Sequence, residues 1–341
     1  MDREIRNLVE KYRSGVEAHR DRFARQDDSA YLESGEVFLV LDRLSRDITT
    51  DIPAAFTGLY LRGGLENCRE EDLRTAAEGF RLMTDLVDRG ESDSERATAL
   101  LEMLAMGVQI VLCKDADPDR FRMIGDVLDA LGHGSYLMSD SPEPRDLPHL
   151  IYSDLLSELV RDAADREDTS RVQEALGGTW DYGKAASPFH LVRPLSLPGR
   201  SATPQQAACL AVAGVPGIEL SALEPDAESG GFTDLVEARL SEPALDPLSP
   251  QTVLRSDPRI LAVRRGPRET NGGAAGDATV LCLHNFSGDS VEFRDRRDRY
   301  HWPEEGVLRE ILSEDLIFPS PEGALFSLEL QPREVMWLRF S

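Results

Sequence analysis

The sequence predicts an α/β protein: a compact or incomplete (β/α)8 barrel of the TIM type, followed by a small antiparallel β domain. Three observations predict it. The stretch Glu71–Val87 runs from a helix straight into a buried strand. Leu73, Ala76, Ala77 and Phe80 lie at i, i+3, i+4, i+7 and make one apolar helical face, and Leu82–Val87 is a short apolar run ending in Asp88-Arg89-Gly90. Helix into buried strand is the repeating unit of a parallel sheet. Second, eight such strand signals alternate with helices over roughly 200 residues, the small end of the barrel range. Third, from Asp246 onward the helical texture gives way to short β-like runs punctuated by proline and glycine. Periodicity alone leaves an open doubly wound sheet as the alternative to a barrel.

In chain order, residues 2–26 read as a polar helix with a thin stripe of Ile5, Val9, Tyr12 and Val16, a lead-in within residues 1–30 that packs on something larger. The barrel is assigned to residues 31–245. Its first strand is Val37–Leu41, after the break at Gly35-Glu36, and its second is Thr57–Arg62, closed by Gly63-Gly64. That pair of glycines is a tight turn and no phosphate cradle, because no Lys or Ser/Thr follows at P-loop spacing. The third strand is Leu82–Val87. Helix Ser94–Met106 precedes the fourth, Val108–Lys114, and helix Asp119–Leu131 leads to the fifth, Tyr136–Met138. The sixth is His149–Tyr152 and the seventh lies in Phe189–Val192. Helix Thr203–Ala213 then leads through Gly214 to Gly217 into the eighth, Ile218–Leu220. Residues 246–341 form the β domain, with runs at Ile260–Val263, Thr279–Asn285, Val291–Phe293, Leu325–Leu330 and Val335–Phe340.

Composition narrows the partners. The net charge is −24 and the pI about 4.6, with no Lys/Arg cluster to offset that field, so no nucleic-acid partner is expected. Three lysines (Lys11, Lys114, Lys184) stand against 35 arginines and 62 acids. Such a surface suits a protein working in high salt, where screening removes self-repulsion; the alternative is a genome that writes arginine for lysine. Cys68, Cys113, Cys209 and Cys282 have no metal-like spacing and read as reduced thiols in a cytoplasm. No cofactor or metal is expected. The charged start, Met1 to Ile5, has no apolar signal region, and no apolar run reaches about 18 residues, so neither a leader nor a membrane span is expected.

Several stretches, in collinear order over about 300 residues, resemble one family. Glu71–Val87 is similar to a pattern "DLxxLAxxFxLMLDLVxNH", Glu36–Asp42 to "DVxLITYxD", and Gly107–Ala116 to "GVRIIRLDA" with one extra residue. His149–Tyr152 resembles "AHLVYNF", Leu210–Glu219 resembles "MLALPGVPAIY", and Val280–Ser287 resembles "LLCLHNxS". These are patterns of the α-amylase superfamily (glycoside hydrolase family 13), in its sucrose-phosphorylase-like branch. The resemblance implies a barrel with a closing β domain, and a retaining mechanism in which a nucleophilic and an acid/base carboxylate stand about 5–5.5 Å apart.

Carried onto this chain, the resemblance places the nucleophile at Asp115, with Ala116 after it. The arginine that holds that carboxylate falls on Cys113, with Lys114 beside it as a substitute cation. The acid/base glutamate falls within Met138–Ser141, where Asp140 is the one carboxylate. The Asn-His pair after the third strand falls on Arg89-Gly90, and Asp85 aligns with a structural aspartate near the site. The sugar-clamping "SHDG" falls on Ser187-Pro188-Phe189-His190, or else on Trp180-Asp181-Tyr182-Gly183, whose two aromatics would offer a stacking platform. The substrate-binding set is therefore Asp85, Arg89, Trp180, Asp181, Tyr182 and His190. With four motif positions altered, a cooperative site loses decades of rate. The expectation is a non-catalytic relative that binds a sugar or glucoside, or partners an active glycosidase or phosphorylase. The alternative is a retaining α-glucoside phosphorylase or hydrolase using Asp115 as nucleophile and Asp140 as acid/base.

Overall fold

Eight short parallel strands follow one another around a closed barrel in the computed structural model. The structure describes residues 2–20, 36–44, 52, 56–66, 68–86, 92–114, 118–131, 136–139, 150–178, 188–192, 203–212, 214–219, 230–247, 249–266, 279–299 and 306–340. The barrel strands are β1 (Phe38–Leu41), β2 (Gly58–Leu61), β3 (Arg81–Asp85), β4 (Val108–Cys113), β5 (Tyr136–Ser139), β6 (Leu150–Ser153), β7 (Pro188–Val192) and β8 (Val215–Glu219). The barrel closes where β8 returns to β1, with Phe38 opposite Gly217 and Val40 opposite Glu219. β1, β2 and β4 are buried at every residue, which is why they read as near-continuous apolar runs, with Gln109 the one polar side chain in β4, rather than alternating ones.

Contacts divide the chain into two units: residues 1–153 with 186–189 and 217–220, and residues 154–185 with 190–216 and 221–341. The first unit holds most of the barrel with helices α1 (Arg3–Arg20), α2 (Glu70–Gly79), α3 (Asp93–Ala105) and α4 (Pro118–Leu131). α1 buries Ile5, Val9 and Val16, the stripe its sequence shows, and packs on α3 and α4. α2 buries Leu73, Ala76 and Ala77. α3 opens on a capping box: the Glu95 amide donates to Ser92 Oγ and the Ser92 amide to Glu95 Oε2, satisfying two of the first-turn donors.

The second unit adds α5 (Leu155–Arg166), α6 (Ser170–Gly178), α7 (Pro204–Ala211) and α8 (Gly230–Ser241). Its six-stranded sheet runs β14-β13-β17-β11-β10-β9 and its three-stranded sheet β12-β16-β15. The strands are β9 (Gln251–Leu254), β10 (Ile260–Arg265), β11 (Thr279–Asn285), β12 (Val291–Arg296), β13 (Leu308–Glu310), β14 (Leu316–Ile317), β15 (Ser320–Glu322), β16 (Leu325–Leu330) and β17 (Val335–Phe340). Their inner faces share one core, in which Ile260, Leu281, Leu283 and Leu338 meet Phe293, Phe326 and Leu330. β12 has one wet face and alternates buried and exposed residues along its length, whereas β11 is buried at all but its first residue.

Bounds shift in places from the sequence reading. β3 starts at Arg81 and ends at Asp85 rather than spanning 82–87, and β8 begins three residues earlier, at Val215. α6, α8 and the short strands β9, β13, β14 and β15 are not in the sequence reading; the strands are two to four residues long, too short to show a period. Each is held by its neighbours: Thr169, at the start of α6, donates through its hydroxyl to the Pro258 and Ile260 carbonyls at the entrance to β10.

Candidate functional site

Parallel strands bring all their C-terminal ends to one rim, where barrels carry their chemistry. Around this rim the described residues include Asp42 after β1, Arg62 after β2, Asp85 at the end of β3, Lys114 after β4 and Glu219 at the end of β8. All five belong to the first unit.

Two clusters form. In the first, Arg62 donates from Nε to Asp42 Oδ1 at 2.7 Å and from Nη1 to Glu219 Oε1 at 2.6 Å. One guanidinium thereby ties β1, β2 and β8 together at the seam where the barrel closes. The hydrogen bond to Asp42 and the second to Glu219 push Arg62 further above its ordinary range, and the same guanidinium holds the Asp42 carboxyl below the usual carboxylate range. In the second cluster, Asp85 accepts from the Tyr60 hydroxyl at 2.7 Å and from the Gly63 amide at 2.6 Å. Gly63 has φ +81°, a left-handed turn that a side chain would strain, and that turn aims its amide at Asp85. Lys114 Nζ lies 3.5 Å from Asp85 Oδ1 and 5.0 Å from the centre of the Tyr152 ring. Burial, and then the neighbouring Asp85 carboxylate, raise the Tyr60 hydroxyl well above the usual phenol range, so it is a neutral donor.

Beneath the rim the barrel interior is filled by rings. Phe189 on β7 meets Phe38 on β1 and Tyr60 on β2 edge-on, at 5.9 and 5.8 Å, and stacks on Tyr152 of β6 at 6.0 Å. β7 borders neither β1 nor β2, so these contacts cross the barrel. Gly58 makes room for the plug: a Cβ there would sit 2.3 Å from Phe38 Cε1. At the strands' other end Arg81 Nε and Glu36 Oε1 pair at 2.7 Å, both buried.

Chemically, the rim offers donors and acceptors suited to a polyhydroxylated ligand. Lys114 and Asp42 keep 39% and 73% of their side chains exposed, whereas Glu219 and Asp85 keep 17% and 14%. Among the described residues, Asp42, Glu219 and Asp85 are each matched to a cation or a hydrogen-bond donor. No group of three or more His, Cys, Asp or Glu side chains able to hold a metal occurs among the described residues.

Of the residues singled out from sequence, Asp85 is at this rim. His190 is buried on β7 with its Nε2 2.8 Å from the Cys209 carbonyl of α7. Asp115, Asp140, Arg89, Trp180, Asp181 and Tyr182 lie outside the described residues. Cys113 and Ser139 end β4 and β5 opposite each other and are fully buried. Sequence reasoning passed over Arg62, Glu219, Tyr60 and Tyr152. A signal existed for Arg62, as for Asp42 and Lys114: a charged residue directly after a largely apolar strand.

No protein-family model matches the sequence, and no curated protein matches it. Solved structures do share the fold. A noncanonic maltogenic α-amylase from Thermotoga neapolitana aligns with TM-score 0.68 at 11% identity, over 90% of this chain and 99% of its own. AmyP in complex with maltose aligns with TM-score 0.62 at 9% identity, over 93% and 98%. The Nostoc punctiforme debranching enzyme, from an acarbose-soaked crystal, aligns with TM-score 0.60 at 12% identity, over 90% and 98%. The chain thus has the fold of these amylase-type structures, barrel and β domain together.

Proposed function

We propose that this chain is an α-amylase-superfamily protein of the sucrose-phosphorylase-like branch whose barrel mouth binds a sugar or α-glucoside without cleaving it. The observation that carries the reading is the pairing of the mouth's described carboxylates: Arg62 takes Asp42 and Glu219, while Tyr60, Gly63 and Lys114 take Asp85. Carboxylates held in place by such partners are set to accept hydrogen bonds from hydroxyls. Cys113 and Ser139 at the ends of β4 and β5 support the same reading, since neither can clamp a nucleophile or protonate a leaving group. AmyP, which shares the fold, was solved with maltose. The same chain would serve as the non-catalytic partner of an active glycosidase or phosphorylase in a cytoplasm that keeps Cys68, Cys113, Cys209 and Cys282 as free thiols.

The competing reading is a retaining phosphorylase or hydrolase with Asp115 as nucleophile and Asp140 as acid/base, the residues that follow Lys114 and Ser139 in sequence. Calorimetric titration and a turnover assay with maltose, maltotriose, sucrose and glucose 1-phosphate, in about 2 M KCl, separate the two. Saturable binding without turnover is expected, with Lys114→Met and Asp85→Asn each weakening it about tenfold. Turnover that vanishes in Asp115→Asn would establish the enzyme and overturn the binding-protein reading.

A further inference from the structure

The core of the β domain runs out at one edge. Ile317 and Met336 pack against that core and stay partly exposed, and with Leu235, Leu312 and Val335 they line a cleft of about 460 Å³. β14, which carries Ile317, is the edge strand of the six-stranded sheet, with β13 on one side and, among the described residues, no strand of that sheet on the other. Leu316 and the following Phe318 are 58% and 71% exposed, two of the three exposed large hydrophobics among the described residues. Exposed apolar side chains gathered on an open strand edge mark an interaction surface, since such an edge is a template for another strand.

The charge around it points to the occupant. Asp234, Glu310, Asp315 and Glu334 line the cleft against one cation, Arg333, which already donates to Glu167 at 2.8 Å and to the Phe286 carbonyl. Glu310 is used internally, accepting from the Ser313 and Trp337 amides, and Glu334 accepts from the Gln331 amide. Asp234 and Asp315 are exposed at the cleft. A second copy of this chain, at net charge −24, would bring like charge to the edge.

We propose that β14 and the adjoining cleft dock an extended, basic segment of a partner protein. The segment adds a strand beside Leu316–Ile317, sets aliphatic side chains against Ile317 and Met336 on one face and against Leu316 and Phe318 on the other, and places lysine or arginine by Asp234 and Asp315. Period-2 alternation makes both faces available to one strand. This surface is independent of the barrel mouth and of the sugar reading.

The test uses the full chain and two fluorescent hexapeptides in which four consecutive valines, filling both faces of a strand, are flanked either by lysine and arginine or by two glutamates, read by anisotropy at about 0.15 M salt. The cationic peptide should bind and the glutamate peptide should not. Phe318→Ser should weaken binding about tenfold, and Asp234→Asn and Asp315→Asn about threefold each. All three sites are exposed, so unchanged thermal midpoints certify the fold. Equal binding of both peptides, absence of binding up to about 1 mM, or affinities unmoved by the substitutions would overturn the proposal. So would a concentration-dependent dimer abolished by Phe318→Ser, which would make a second copy the occupant, or displacement of the peptide by maltotriose, which would make the cleft a sugar site.

Discussion

Single residues at the rim are set by what faces them. Asp85 accepts from a phenol and a backbone amide and has an ammonium nearby, while Asp42 and Glu219 share one guanidinium. In the β domain His284 shows the complementary case. It is fully buried, with Nδ1 3.1 Å from the Leu261 carbonyl and Nε2 3.2 Å from the Trp337 indole nitrogen. The indole can only donate, so Nε2 accepts and Nδ1 carries the proton of a neutral ring. Burial pushes this imidazole down to about 4, against about 6.5 when unfolded. Between those values the unfolded chain binds the extra proton. The contribution is therefore fully present above about pH 6.5 and is lost as pH falls toward 4. From this group alone, stability at pH 5 should lie about 2 kcal/mol below that at pH 8. Urea midpoints across that range should fall, and fall less steeply in His284→Gln; equal slopes would show that the ring does not titrate.

At the scale of elements, the barrel's interior depends on a glycine in a strand, ordinarily a weakening choice. Gly58 on β2 is where the Phe38 ring lies, and Phe38 is itself held by Phe189. Gly58→Ala should cost about 2 kcal/mol through overpacking, and Phe38→Leu in the same chain should return part of that loss. A double-mutant cycle by chemical denaturation measures the coupling, and additive costs would separate the two residues. Elements in the second unit are also held by caps and clamps. Thr203 and Gln206 form a capping box on α7, whose far end is met by the buried Arg239, donating to the Leu210, Val212 and Gly214 carbonyls. Burial, and then neighbouring Arg265, lower Arg239 to about 9, still charged at neutrality and so complementary to a helix C-terminus.

For the whole molecule, net charge −24 on 341 residues makes self-repulsion a global term that no single ion pair offsets. We propose that the protein works in concentrated salt. Raising KCl from about 0.1 to 2 M shortens the screening length from about 10 Å to under 3 Å. The urea midpoint should rise steadily across that range; a midpoint that falls would tie the acidic composition to something other than salt. Among the described residues no helix is long and apolar enough to cross a membrane.

Much of this architecture was legible in the residues themselves. Apolar runs gave β1, β2 and β4 within a residue or two, and short β-like runs set between turn signals gave β11, β16 and β17 to the residue, because burial is written into consecutive side chains. Barrel and doubly wound sheet share that local pattern, so only the return of β8 to β1 distinguished them. The rim was legible in part, as Asp85 and as charges just beyond apolar strands. That Arg62 meets Glu219, 157 residues away, follows from the register at which the barrel closes. Local sequence determines which residues are buried; which strand ends then face one another is decided by closure, and with it the chemistry the mouth can offer.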